Sequence, residues 1–282
     1  MAGLNPGVQR KGFFHGRKWP YHIALTVTAL VIAFPLLYAA LISTQTNAEI
    51  FTFQLTPGSA LRDHFQIVWF DRGLSSAMWN SLQQAIYVTT GKTVLSLLAG
   101  LAFVYFKFPF KWFIFFFVLV TLMMPTEVMI LAMFRQVSGY GWQDTMTALV
   151  VPFLASATGA FLFRQHFANL PADLLEAAQI DGASPIKFLT KILIPLSWNV
   201  IAAMFVIQFV YTWNMFLWPS LIIRDDSRQV VQVALQTLTN IDGSLNYGPL
   251  MLAAILASIP PAIVFVLMQK PFMSGFAVGQ NK

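Results

Sequence analysis

Glu176-Ala177-Ala178-Gln179-Ile180-Asp181-Gly182-Ala183 is a polar stretch between two long apolar segments of a chain that is otherwise mostly apolar. A membrane protein does not need such a loop in order to insert into a bilayer. The stretch predicts a short helix and a turn that form a docking surface for a cytoplasmic partner. The segments on either side of it predict the kind of protein that carries that surface.

The composition is that of an integral membrane protein. Of the 282 residues, 57% are hydrophobic and only 10% are charged, and the apolar residues occur in blocks long enough to cross about 30 Å of hydrocarbon. We therefore expect an all-α membrane protein with six transmembrane helices. The apolar windows lie at about 22–43, 82–105, 112–135, 146–165, 199–221 and 247–268. The first window is longer than the roughly 7–15 apolar residues of a signal peptide, so we interpret it as a retained anchor.

The charge distribution predicts the orientation. A net charge of +6 fits basic loops kept in the cytoplasm better than it fits nucleic-acid binding, and no nucleic-acid partner is expected. Eleven of the 17 basic residues fall on one side of the predicted spans: Arg10, Lys11, Arg17, Lys18, Lys107, Lys111, Arg164, Lys187, Lys191, Lys270 and Lys282. Both termini are therefore predicted to be cytoplasmic.

This topology divides the chain into three parts. They are a cytoplasmic tail at 1–21, a membrane domain at 22–268 and a second cytoplasmic tail at 269–282. The membrane domain includes an outer loop at 44–81, which either folds over the outer mouth or serves as a tether, and a cytoplasmic loop at 166–198. Because the chain contains no cysteine, it has no disulfide, no thiolate nucleophile and no sulfur-bound metal.

The cytoplasmic loop has the signals of two short helices joined by a sharp turn. Pro171 fits a first helical turn, and Glu176 lies toward the positive end of that helix. Gly182 is placed to end the helix in a left-handed conformation, and Ser184-Pro185 is a typical start for a second helix that runs through Phe188. The alternative is a linker that happens to be helical.

The loop resembles the EAA loop of ABC importer permeases. The matching residues are Glu176, Ala177, Ala178, Asp181, Gly182, Ala183, Phe188 and the later Pro195. The similarity extends to Phe106-Lys107-Phe108-Pro109, Leu162-Phe163-Arg164-Gln165 and Tyr211–Pro219, which are similar to the carbohydrate-uptake permeases. Within that group, Met123–Glu127 and Leu154–Thr158 most resemble importers of glycerol-3-phosphate.

The resemblance implies a type I ABC importer permease in a bacterial inner membrane. Such a chain works with a second permease subunit, docks its EAA loop on an ATPase subunit dimer, and receives solute from an extracytoplasmic solute-binding protein. The resemblance also implies glycerol-3-phosphate or a related glycerophospho compound as the solute. A neutral sugar or oligosaccharide of the maltose type is the alternative.

The chain itself has no nucleotide motif. Gly91-Lys92-Thr93 ends like a P-loop, but Ile86 stands where the motif needs its first glycine. We therefore expect no cofactor in this chain, with ATP and Mg²⁺ bound by the partner ATPase.

Polar residues inside the apolar windows are candidates for the solute path. Lys92 and Glu127 either form an ion pair that supports the fold or contribute charge to the path, since each would be costly against lipid. The fifth window adds a cluster made up of Gln208, Tyr211, Thr212, Trp213 and Asn214. These residues either bind a hydroxyl-rich solute or join helices by hydrogen bonds.

Two further classes of protein fit the sequence poorly. A secondary transporter would need relay groups in several helices, and Lys92 and Glu127 are too few. An intramembrane enzyme would need clustered catalytic groups, whereas the four histidines are scattered along the chain.

Overall fold

The computed structural model describes residues 19–239 and 246–277, apart from the side chains of 126–127 and 272–277. Most of the predicted N-terminal tail and the last five residues therefore lie outside the described residues, as do Arg10, Lys11, Arg17, Lys18 and Lys282. Within the described ranges every regular element is helical, which confirms the predicted all-α class.

The helices follow the predicted windows but are more often interrupted. They are α1 Trp19–Ile42, α2 Asn47–Phe51, α3 Leu61–Phe65, α4 Leu74–Tyr105, α5 Lys111–Thr121, α6 Thr126–Gly139, α7 Met146–Val150, α8 Ala157–Ala168, α9 Asp173–Ile180, α10 Pro185–Phe188, α11 Ile194–Leu196, α12 Trp198–Trp213, α13 Leu217–Ile222, α14 Val231–Thr237 and α15 Tyr247–Ala277. Among the described residues, α1, α4 and α15 are each long and apolar enough to cross a membrane alone.

Two further spans are bent. The segment Met146–Phe153 meets α8 at 43°, and the segment Pro185–Leu196 meets α12 at 81°. The predicted window at 112–135 is divided into α5 and α6, each shorter than a full span. Length and composition thus support up to five spans in the described part of the chain, and the sixth span and the orientation of the termini stay predictions.

Prolines account for two of these interruptions. Pro125 has an extended backbone, with ψ of 133°, at the boundary between α5 and α6. Pro152 lies in a 3₁₀ turn, Val151–Phe153, between α7 and α8. Because proline lacks an N–H donor and clashes with the preceding helical turn, both positions end a helix inside an apolar window.

Helix α4 lies at the centre of the fold and packs against α8 and α12. Its contact with α8 is close because a glycine faces a large side chain. A Cβ on Gly100 would lie 2.7 Å from Cβ of Phe163 and 3.0 Å from its carbonyl carbon. Small residues at helix crossings allow this approach, which is a common basis of helix association in membranes.

The predicted outer loop is a folded segment. The Gln45 side chain, 2% exposed, donates hydrogen bonds to the carbonyl oxygens of Gln54 and Thr56 at 2.7 and 2.8 Å. Asn47 Nδ2 donates to Asn246 Oδ1 at 2.8 Å, which ties the segment to the start of α15. These bonds fit a packed cap better than a loose tether. Helix α4 also begins at Leu74, inside the predicted loop.

A carboxylate joins two loops outside the spans. Asp144 Oδ1 accepts hydrogen bonds from the backbone N–H groups of Arg224 and Asp225, and the Arg228 guanidinium donates to the Asp144 carbonyl oxygen. The two N–H donors, that of Arg224 first, hold the pKa of Asp144 below its usual value of 3.8. Asp144 also has a φ of +57°, a conformation that aspartate and asparagine tolerate better than most residues.

Asp144→Asn is expected to loosen this connection at neutral pH. The folded-state pKa is depressed, so the stabilisation is complete above 3.8 and is lost as the pH falls through the folded value. Amide exchange of Arg224 and Asp225, corrected for intrinsic rates, should be faster in the variant at pH 7, and the two proteins should converge in acid. A difference that does not change with pH would contradict this role of the charge.

Candidate functional site

The loop that is predicted to be cytoplasmic forms the helix, turn and helix that the sequence predicts. Helix α9 ends at Ile180, Gly182 follows with a φ of +66°, and the Ala183 N–H donates to the Ala178 carbonyl oxygen at 2.9 Å. Ser184 Oγ accepts a hydrogen bond from the Lys187 N–H at 3.3 Å and so caps α10. We call residues 171–196 the coupling segment.

Two of the residues predicted to couple the chain to an ATPase are buried in this structure. Ala178 is 4% exposed and Phe188 is 3% exposed, and both pack with the C-terminal ends of α4 and α8 and the N-terminal end of α12. The Phe188 ring lies edge-on to the Tyr105 ring, with 5.1 Å between centroids. Their apolar side chains anchor the coupling segment to the membrane domain, and their part in coupling to an ATPase stays a prediction.

The exposed side of the coupling segment is mixed in character. Glu176, Ala177, Asp181 and Gly182 are exposed, and Ala183 is half-buried. Two apolar residues that the sequence reasoning did not select are also prominent, since Ile180 is 86% exposed and Ile186 is 59% exposed. The sequence offered one signal for Ile180, because a large apolar residue directly before the polar turn Asp181-Gly182 is unusual.

Lys92 lies in the middle of α4 and is only 7% exposed. Its Nζ donates to Gln208 Oε1 on α12 at 2.9 Å and lies 5.3 Å from the centroid of the Tyr211 ring. A charge at the centre of a lipid-facing helix costs about 2.5–3.5 kcal/mol on insertion scales, and a cation–π contact recovers only about 0.5–2 kcal/mol. The alternative, an ion pair between Lys92 and Glu127, involves the Glu127 side chain, which lies outside the described residues.

The predicted polar face of α12 is divided by the structure. Gln208 and Tyr211 both contact Lys92. Trp213 is 2% exposed, stacks on Phe209 and donates from Nε1 to the Ala257 carbonyl oxygen on α15 at 3.0 Å.

Thr212 is likewise buried, at 2% exposure. Both side chains lie in the packing between helices in this structure, and their place on a solute path stays a prediction.

Tyr211 and Asn214 line an open pocket of about 370 Å³ between α6, α12 and α13. Asn214 Nδ2 donates to the Val210 carbonyl oxygen at 2.8 Å, and its Oδ1 accepts from Gln232 Nε2 at 3.0 Å. Most other lining residues are apolar: Ile130, Phe153, Val210, Met215, Phe216, Leu217 and Trp218. A mostly apolar pocket with a few polar groups is typical of a small-molecule site.

Bent apolar spans, a folded segment between α8 and α12 and a polar patch inside the spans define a multi-pass membrane permease. The sequence comparisons agree with that class. Residues 92–274 match the family described as binding-protein-dependent transport system inner membrane components, and the chain belongs to that family.

Curated relatives carry a more specific name. The chain is 38% identical over 264 residues to the sn-glycerol-3-phosphate transport system permease protein UgpE of Brucella melitensis biotype 1, covering 90% of this chain and 94% of the relative. The protein of the same name from Agrobacterium fabrum is also 38% identical over 264 residues, with the same coverage. The chain is thus a permease subunit of a binding-protein-dependent ABC importer.

A solved structure has the same fold. It is a bacterial ABC transporter that imports the acidic polysaccharide alginate, and it matches with a TM-score of 0.79 at 19% identity, covering 90% of this chain and 95% of the other. At that identity the likeness concerns the fold alone.

Proposed function

We propose that this permease imports sn-glycerol-3-phosphate or a closely related glycerophospho compound across a bacterial inner membrane. The observation that carries the proposal is the 38% identity to glycerol-3-phosphate permeases over 90% of the chain. The buried cation of Lys92 agrees with an anionic solute.

The proposed assembly has three kinds of partner. A second permease subunit completes the path, an ATPase subunit dimer binds ATP and Mg²⁺ and hydrolyses the nucleotide, and an extracytoplasmic binding protein delivers the solute. A transporter similar in fold to this chain has been solved with a periplasmic protein carrying an alginate pentasaccharide, which supports the last of these partners.

The coupling segment is the proposed contact with the ATPase. Its buried Ala178 and Phe188 hold it against α4, α8 and α12, while Glu176, Ala177, Asp181 and Gly182 remain available to the partner. Because the segment meets α12 at 81°, a movement imposed on it would reach a helix that also carries Gln208 and Tyr211. Together with Lys92 and Asn214, these two residues are the proposed wall of the solute path. Glu127 stays a candidate for the same path.

A neutral sugar or oligosaccharide is the alternative solute. The observation that favours it is the pocket beside Tyr211 and Asn214, because an aromatic ring and an amide suit a polyol without any charge.

The direct test is the ATPase rate of the assembled complex in lipid, with its binding protein loaded in turn with glycerol-3-phosphate and with maltose. Stimulation by glycerol-3-phosphate alone is expected. Stimulation by maltose alone would replace the proposed solute with the alternative, and stimulation by neither would reject both solutes.

Substitutions in the coupling segment should separate insertion from coupling. Gly182→Val places a β-branched residue at a φ of +66°, which costs about 1–2 kcal/mol, although a Cβ there meets no atom within 4 Å. Glu176→Lys reverses an exposed charge. We expect each variant to insert normally but to lose several-fold in ATPase copurification and transport.

Gly182→Asn is the matched control, because asparagine tolerates the left-handed region. It should retain most of the activity. Normal copurification and transport in both Gly182→Val and Glu176→Lys would reject the docking role.

A further inference from the structure

We propose that the Lys92 ammonium is the group that binds the phosphate of the solute inside the membrane, with Gln208 holding it in place and Tyr211 covering it. This inference rests on the proposed function, since it requires a phosphate monoester as the solute. It assigns the preference for a negatively charged solute to one side chain of this subunit.

The first support is the neutral character of the described partners of Lys92. Its partners are a neutral amide oxygen at 2.9 Å and an aromatic ring at 5.3 Å. Among the side chains that the structure describes, no carboxylate lies within salt-bridge distance of Lys92. A buried cation whose described partners are all neutral favours the arrival of an anion.

The second support is the remaining hydrogen-bonding capacity. A lysine ammonium has three N–H donors, and Gln208 takes one of them. The other two donate to no acceptor among the described residues and could donate to phosphate oxygens. Hydrogen bonds between charged groups are shorter and stronger than neutral ones.

Nearby hydroxyl groups form the third support. Thr89 lies three residues before Lys92 on α4, and Thr212 lies four residues after Gln208 on α12, so each shares a helical face with its neighbour. Both threonines are at least 98% buried, and neither Oγ1 makes a hydrogen bond in the described part of the chain. Buried hydroxyls normally have partners, so this seam between α4 and α12 has spare capacity for a polar solute.

Tyr211 connects the cation to the open pocket. The same ring that lies over Lys92 also lines the 370 Å³ pocket, and the side chain is 48% exposed. A change of the Tyr211 rotamer would expose the ammonium to the pocket. The phosphate would then replace the ring as the partner of the cation.

The test uses the full complex in proteoliposomes with its binding protein. Uptake of labelled glycerol-3-phosphate and stimulation of the ATPase are measured for wild type, Lys92→Gln and Lys92→Arg. We expect Lys92→Gln to lose at least tenfold in uptake while ATPase stimulation stays within about twofold, and Lys92→Arg to keep most of the uptake. Lys107→Gln, at an exposed lysine outside the coupling segment and the proposed path, is the control for removal of a charge elsewhere.

Restoring the charge chemically gives a second measurement. Because the chain has no cysteine, Lys92→Cys in a complex with cysteine-free partners carries a single thiol. A methanethiosulfonate that adds an ethylammonium group should recover uptake, and the neutral hydroxyethyl reagent should not.

Three results would overturn the inference. They are normal uptake by Lys92→Gln, recovery with both reagents or with neither, and failure of both Lys92→Gln and Lys92→Cys to assemble, which would make Lys92 a packing residue. If wild type itself does not take up glycerol-3-phosphate, the proposed function fails instead. The two failures are therefore distinguishable.

Discussion

Phe188→Ala is expected to release the coupling segment from the membrane domain and to reduce transport at least tenfold. The Phe188 side chain is 3% exposed and packs against Tyr105 and the rest of its cluster. Removing a buried phenylalanine side chain typically costs about 3–5 kcal/mol. That is enough to detach a segment whose two short helices have little stability of their own.

The measurement is transport together with copurification of the ATPase, on complexes matched for the amount of inserted permease. Phe188→Leu keeps an apolar side chain in the same place and should lose far less. If the alanine variant transports at the wild-type rate, the segment does not depend on this anchor.

Gly100→Val is expected to separate α4 from α8 and to lower the yield of assembled complex by about an order of magnitude. Its new side chain would meet Cβ and the backbone of Phe163, which cannot move without moving α8. Overpacking of this kind typically costs about 1–3 kcal/mol. Because α4 also carries Lys92, the polar contact with Gln208 should be disturbed as well.

Gly139→Val is the matched control, because that helical glycine has no atom within 4 Å of a new Cβ. Assembly is followed by size-exclusion chromatography, and thermal inactivation is measured on any complex that forms. Equal yields and equal inactivation temperatures for the two variants would show that the crossing tolerates a larger residue.

The sequence predicts the coupling segment well because its signals are local. Gly182 ends a helix, and Ser184 with Pro185 starts the next, so neighbouring residues determine the conformation. The side on which Phe188 lies depends instead on Tyr105, which is far away in the sequence. Burial at this position could not be read from the motif.

The same limit applies to the burial of Trp213. Apolar residues occur on every side of α12, so its hydrophobic pattern does not identify which face packs and which face lines a path. The hydrogen bond from Trp213 to Ala257 joins residues 44 positions apart. Lys92 was identifiable because a lone charge inside an apolar window needs a partner wherever it points.

The 81° bend at Ser197, where the coupling segment meets α12, would let α12 act as a lever. With 16 residues at about 1.5 Å each, the helix extends roughly 24 Å from the bend. A rotation of about 10° there would displace the far end by about 4 Å. The rigidity of the bend at Ser197 would therefore determine how much of a movement of the coupling segment is transmitted to the residues beside the pocket.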